Sequence, residues 1–153
     1  MKFDLLRALD LDIPTGPVGV KAGILENATN SATGESVAMY AACNEFGTKD
    51  IPSRPFMRKT FDEHSGEWAA LLGRAIANGR SPQQALQLVG MRMADDIVAT
   101  IASNMPPPNA PATSARKTKK VVGKKAKPGE KHTPGTLVDT GSMISSVNYE
   151  VSR

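Results

Sequence analysis

Ser81-Pro82-Gln83-Gln84-Ala85-Leu86-Gln87-Leu88-Val89-Gly90-Met91-Arg92-Met93 opens the stretch on which the fold turns. Serine at the N-cap, proline at the first helical position and glutamine at the third make a capping box, in which each end of the first turn satisfies the other's free N–H. Behind it Ala85, Leu88, Val89, Met93, Ile97 and Ile101 recur at i, i+3, i+4 spacing, which puts them on one apolar face of a long helix. Pro106-Pro107-Pro108 cannot continue that helix, so it is predicted to end near Asn104. A second helix precedes it: Phe61, Trp68, Leu71, Leu72, Ala75 and Ile76 form a stripe that Asn78-Gly79 ends, with Ser65-Gly66 as the place where it would break.

Outward from these helices the pattern changes period. Val18-Gly19-Val20-Lys21-Ala22-Gly23-Ile24 alternates as a half-buried strand, bounded by Pro14 and Pro17 before it and a Asn/Ser/Thr/Gly-rich turn from Asn27 to Gly34 after it. A second short strand is predicted to start at Ser36-Val37. Tyr40 to Phe46 suits a helical turn that Gly47 stops. Ile51-Pro52-Ser53-Arg54-Pro55-Phe56 is extended, because each proline pushes its predecessor out of the α region, and Pro55 suits the first turn of the next helix. From Pro106 to Gly135 apolar periodicity is missing and Pro, Ala, Thr and Lys dominate, which predicts a long exposed loop. Asp139 is placed to N-cap a short helix through Ser146, and Val147 to Val151 alternates as a last strand. The expected fold class is α+β: a small, mostly antiparallel sheet packed against two long helices, with a long basic loop ahead of a C-terminal short helix and strand.

Composition narrows the function. The 153 residues suit one domain, and 5% aromatics leave the single tryptophan and the four phenylalanines to mark the densest packing. No apolar run is long enough to span a bilayer, and the N-terminal stretch mixes acid and base without a small-residue cleavage site, so neither a membrane partner nor a signal peptide is expected. Cys43 stands alone, which excludes an internal disulfide framework and a multi-cysteine zinc site; it reads as a small buried apolar side chain in a reducing compartment. The net charge of +4 is concentrated between Arg116 and Lys131, and without that segment the chain would be slightly acidic. Lys117, Lys119, Lys120, Lys124, Lys125 and Lys127 are therefore candidates to face DNA phosphates or a neighbouring protein, although no aromatic residues are interleaved to stack on bases.

Catalytic strings are weak. Asp139-Thr140-Gly141-Ser142 resembles the Asp-Thr-Gly of aspartic proteases, whose chemistry needs a second aspartate and a surrounding barrel. Met143 to Arg153 is too short to supply the strands that normally follow, so the helix cap is the preferred role. His64, near Asp62 and Glu63, fits no metal-binding helix motif and is expected on a solvated face; His132 falls in the loop, and Asp95-Asp96 are expected at the surface. No catalytic residue, metal site or cofactor is expected. The strongest interaction element is the stiff Ile51-to-Arg58 segment, whose Arg54, Pro55, Phe56, Met57 and Arg58 are candidate subunit contacts; internal packing of Phe56 before a helix is the alternative.

At these residues a resemblance enters. Asn44-Glu45-Phe46-Gly47-Thr48 followed by Ile51-Pro52-Ser53-Arg54-Pro55-Phe56-Met57-Arg58 resembles the N-E-F-G-T…I-P-x-R-P-F-M-R signature of tail-completion, or neck, proteins of long-tailed bacteriophages, with related strings in Mu-type virion-morphogenesis proteins. Downstream, Pro107-Pro108-Asn109-Ala110, Thr113, a lysine, Leu137-Val138-Asp139-Thr140-Gly141-Ser142-Met143 and Ser146-Val147-Asn148-Tyr149-Glu150-Val151 are similar to that family's C-terminal pattern. Lys119 to Lys131 departs from it, being longer and more basic than the usual connection.

The resemblance implies one tail-completion-like domain over 1–153, acting as a structural, non-enzymatic subunit of the virion neck, assembled in the host cytoplasm. Its implied partners are copies of itself, commonly in a six-fold ring around the DNA channel, and the adjacent head-closure, tail-terminator or tail-tube proteins. Asn44, Glu45 and Phe46 join the arm residues as candidate subunit contacts. Genomic DNA in the channel is a further possible partner. A tail terminator or other minor tail protein is the competing assignment, followed by a DNA-binding module resting on the lysines and a dimeric aspartic protease.

Overall fold

The computed structural model describes residues 18–24, 28–29, 34–122, 136–137 and 141–152. The elements run β1 (Gly19–Ile24), α1 (Val37–Phe46), α2 (Phe56–Ala77), α3 (Pro82–Ala102), α4 (Pro111–Val122), α5 (Ser142–Ser145) and β2 (Val147–Ser152). Helix α3 is the pillar: α2 packs along it and both strands lie against it. The architecture is α+β, with a two-stranded antiparallel sheet packed on helices.

The capping box is realised in full. Ser81 Oγ accepts from Gln84 N–H, and the Gln84 side chain accepts from Ser81 N–H. Of the predicted α3 stripe, Ala85, Val89, Ile97 and Ile101 are buried, whereas Leu88 and Met93 are half-buried at its margin. The helix ends at Ala102, two residues ahead of the expected stop.

Strand β1 pairs with β2 from Gly19↔Ser152 to Ile24↔Val147, so alternation puts Val20, Ala22 and Ile24 on one face with Val151, Tyr149 and Val147. That face meets α3 at Gly90. A Cβ at position 90 would lie 2.4 Å from Tyr149 Cδ2 and 2.9 Å from Val20 Cγ2, so the sheet sits where only a glycine leaves room for it. On the other face Lys21 opposes Glu150, and both are exposed. The main core gathers Val37 and Ala41 of α1, Phe56 of α2, Ile97 and Ile101 of α3, and Met143 of α5.

Several expectations are corrected. Ser36 does not start a strand: it forms one isolated bridge with Thr29, and its Oγ accepts from Met39 N–H as the N-cap of α1. The β-branched Val37 that suggested a strand is instead buried on the helix's inner side. Helix α2 runs unbroken through Ser65-Gly66, and Pro55 sits just before it at the N-cap. Residues 111–122 are helical rather than part of an exposed loop. Phe46 and Phe61 are exposed, so only Phe56 among the described phenylalanines marks the core. Cys43 is half-buried. Gly141, with φ 81°, holds the N-cap position of α5, two residues after Asp139. Asp139 itself lies outside the described residues, as do His132, Lys124, Lys125 and Lys127.

Candidate functional site

Helix α2 starts without a cap of its own, because Pro55 offers no side-chain acceptor to the first turn. The acceptor comes from the preceding helix. Glu45, next to last in α1, turns its carboxylate onto that turn: Oε2 accepts from Met57 N–H at 2.8 Å and Oε1 from Arg58 N–H at 3.2 Å. A carboxylate there satisfies two free donors and meets the positive end of the helix dipole. Arg58 closes the arrangement, donating from Nε to Glu45 Oε1 at 2.9 Å and from Nη2 to the Glu45 carbonyl at 3.0 Å.

The end of α1 is capped in return by residues leading into α2. Ser53 Oγ donates to the Glu45 carbonyl at 2.8 Å, and Arg54 N–H donates to the Asn44 carbonyl at 2.7 Å. Each helix thus satisfies groups the other leaves open. Gly47 makes the tight reversal between them, with φ 79° and a Cβ position only 2.9 Å from Ser53 N. Arg54 reaches further, from Nε to the Pro107 carbonyl at 2.9 Å and from Nη2 to the Pro108 carbonyl and Asn109 Oδ1 at 3.2 and 3.3 Å. The chain leaving α3 is thereby tied to the same junction.

These contacts relocate most of the candidate interface residues. Asn44, Glu45, Arg54 and Phe56 are buried within the subunit, Phe56 at 1% exposure, so the stiff arm is internal architecture and Phe56 takes the internal-packing alternative. Pro55 and Met57 are half-buried. Phe46 and Arg58 stay at the surface, with the Arg58 guanidinium 5.4 Å from the Phe46 ring centre. Lys117 is also moved inward: it is buried and donates from Nζ to the Thr136 carbonyl at 3.1 Å. The backbone of Lys119 and Lys120 lies in α4.

What remains outside is the outer face of α1. Met39, Ala42, Cys43 and Phe46 follow i, i+3, i+4, i+7 spacing, and Met39 and Phe46 are 68% and 72% exposed, with Tyr40 beside them at 45%. The sole charged residue of the helix, Glu45, is turned inward. A helix apolar on both sides is ordinarily buried on both. Next to this face opens a groove of about 310 Å³ lined by Ile24, Ala38, Ala42, Phe46, Met57 and Arg58. Reading 36–37 as a strand hid this face; the uncharged run from Val37 to Asn44 was the signal that could have shown it.

A second polar cluster holds α2 to α3. Trp68 Nε1 donates to Asp96 Oδ2 at 2.9 Å, and Arg92 Nε donates to the same oxygen at 3.1 Å. Asp96 is buried, contrary to the expectation for the Asp95-Asp96 pair; Asp95 is exposed as expected. The Thr60 and Thr100 hydroxyls meet at 2.8 Å, deeper in the same helix contact. His64 is half-buried rather than solvated, stacked near Trp68 with ring centres 6.4 Å apart. Among the described residues no group of three metal-ligating side chains comes together, and no helix is long and apolar enough to cross a membrane. No protein family, curated protein or solved structure matches this chain.

Proposed function

We propose that this chain is a phage structural subunit of the neck or tail-completion ring, joining tail to head around the DNA channel and working through contacts with its own copies and adjoining rings. The observation that carries the reading is the fate of the two signature strings. Their polar residues lock α1 to α2 from inside, and the rigid unit so made holds out an apolar face of Met39, Tyr40 and Phe46 beside a groove. A side chain such as Phe46, fixed from behind and uncovered in front, is built for a partner surface.

The occupant is a second copy. A ring built by rotation uses two different faces of each subunit. Ile76, 46% exposed, lies twenty residues after Phe56 on α2, roughly 30 Å along the helix from the α1 junction. The chain therefore has large apolar side chains uncovered at both ends of its longest helix, as head-to-tail contact requires and a two-fold dimer through one patch does not. Purified protein examined by light scattering and electron microscopy tests this: rings support the reading, and a stable monomer at high concentration that is also missing from the head–tail junction of the particle overturns it. A tail-terminator role shares this assembly and differs in the neighbouring rings, which the position of the chain along the particle axis distinguishes.

A further inference from the structure

We propose that the outer face of α1 docks along the outer face of α2 on the next copy of this chain, with the two helices antiparallel. The inference rests on the ring reading and names the contact that makes the ring. Helix α2 turns Thr60 and Trp68 toward α3, where they bond Thr100 and Asp96. Its opposite side carries Gly66, Ala69, Gly73 and Ile76 at i, i+3, i+7 and i+10, all exposed. Glycine inside a helix costs stability, which makes sense where the missing side chain leaves room for a neighbour. At Gly90 that room is taken by Tyr149. At Gly66 and Gly73 nothing among the described residues lies within 4 Å of where a Cβ would stand, so both notches open outward.

The outer face of α1 has the matching shape. Met39 and Phe46 stand out from it at 68% and 72% exposure, seven residues or about 10.5 Å apart along the helix axis. Gly66 and Gly73 are also seven residues apart. Two protruding side chains thus meet two notches of equal spacing, as knobs enter holes between packed helices. Ile76, one turn beyond Gly73, borders one of the notches and adds apolar area. Neither face is charged over this length: Val37 to Asn44 contains no charged residue, and Gly66, Ala69, Gly73 and Ile76 carry none.

Charges beyond these faces set the direction. The Phe46 end of α1 presents Lys49 and Arg58 against Asp50, with Glu45, the partner of Arg58, buried behind it. The Gly66 end of α2 presents Asp62 and Glu63 against Lys59. At the other ends, Glu35 precedes α1, whereas Arg74 and Arg80 stand near Ile76 in a stretch without a carboxylate between Glu67 and Asp95. The antiparallel arrangement joins opposite signs at both ends, and the parallel one sets Glu35 beside Asp62 and Arg58 beside Arg74.

The test uses the full chain carrying Ala69→Cys. With Met39 at Gly73 and Phe46 at Gly66, the antiparallel register puts Cys43 of one copy opposite position 69 of the next, and Cys43 is the chain's only cysteine. Mild oxidation should give a ladder of disulfide-linked multimers on a non-reducing gel, lost when Cys43→Ser is added. The variant Gly66→Leu, Gly73→Leu should keep or raise the midpoint of urea unfolding, because leucine replaces glycine on an exposed helix face, yet lose the self-association that light scattering reads in the wild type. No cross-link in Ala69→Cys, or unchanged self-association in the leucine variant, overturns the docking while wild-type rings still uphold the ring reading. Cross-linked dimers that persist with Cys43→Ser overturn it in favour of α2 meeting its own copy. A ladder that stops at dimers upholds the α1–α2 contact and overturns the ring, so the two readings fail separately.

Discussion

Helices α2 and α3 begin in opposite ways. The first turn of α3 is closed by its own neighbours, Ser81 and Gln84, within four residues of sequence. The first turn of α2 is closed by Glu45, which belongs to a different helix and lies beyond a turn. A local cap stabilises one helix and says nothing about where that helix points. A borrowed cap couples two helices, because the carboxylate can satisfy Met57 and Arg58 only if α1 stands at one angle to α2. The start of α3 is thus a matter of secondary structure, and the start of α2 is a matter of orientation. That orientation decides where the apolar outer face of α1 is displayed.

Substitutions separate the two kinds of start. The largest effect is expected from Phe56→Ala, at the first residue of α2 and in the centre of the core: about 4 kcal/mol lost in urea unfolding, from lost contacts and the cavity left behind. If that variant stays as stable as the parent, Phe56 does not anchor the core and the junction is not held from inside. Glu45→Ala comes next. Two first-turn donors and Arg58 lose their acceptor, which costs about 2 kcal/mol once the solvent exposure of Arg58 is allowed for. Unlike Ser81→Ala, it should also weaken protection of amides in both α1 and α2 in hydrogen exchange. Ser81→Ala should cost about 1 kcal/mol and leave α1 protected. An equal loss of α1 protection in Ser81→Ala would erase the distinction between local and borrowed caps. Smallest for stability is Phe46→Asp, within about 0.5 kcal/mol because the side chain is already in solvent, yet under the proposed ring assembly it should abolish self-association measured by light scattering. Rings that persist in this variant would move the subunit contact away from α1.

What was legible in the sequence follows the same division. The capping box and the alternation of both strands are local patterns, and each appears where it was expected. The start of α1 was missed because a serine and a valine fit a strand edge as well as a helix cap, and the choice is made by the burial of Val37 against residues far along the chain. Helix α4 was missed because Pro, Ala, Thr and Lys give no apolar period. One of its inward groups is a lysine whose ammonium donates to the Thr136 carbonyl, far along the chain. Asp96 was misplaced for a related reason: an apolar stripe marks the buried face of a helix but not the carboxylate that a buried tryptophan N–H needs beside it. At the candidate site Asn44, Glu45, Arg54 and Phe56 are expected in a subunit contact and are instead buried inside the subunit, whereas Phe46 and Arg58 stay at the surface. Spacing shows that Arg54 and Phe56 are special; only geometry shows that they face inward.

The pairing of Gly19 with Ser152 has a consequence for how the protein is made. The sheet joins the beginning of the described chain to its end, so while a ribosome is still adding residues 25 to 146, β1 exists without the strand it needs. The helices, whose contacts are nearer in sequence, can associate earlier, and closure of the sheet waits for Val147–Ser152 to emerge. Until residues 147–152 are in place, Gly90 faces an open slot on α3, and it is the arrival of Tyr149 there that closes the subunit's interior on this side.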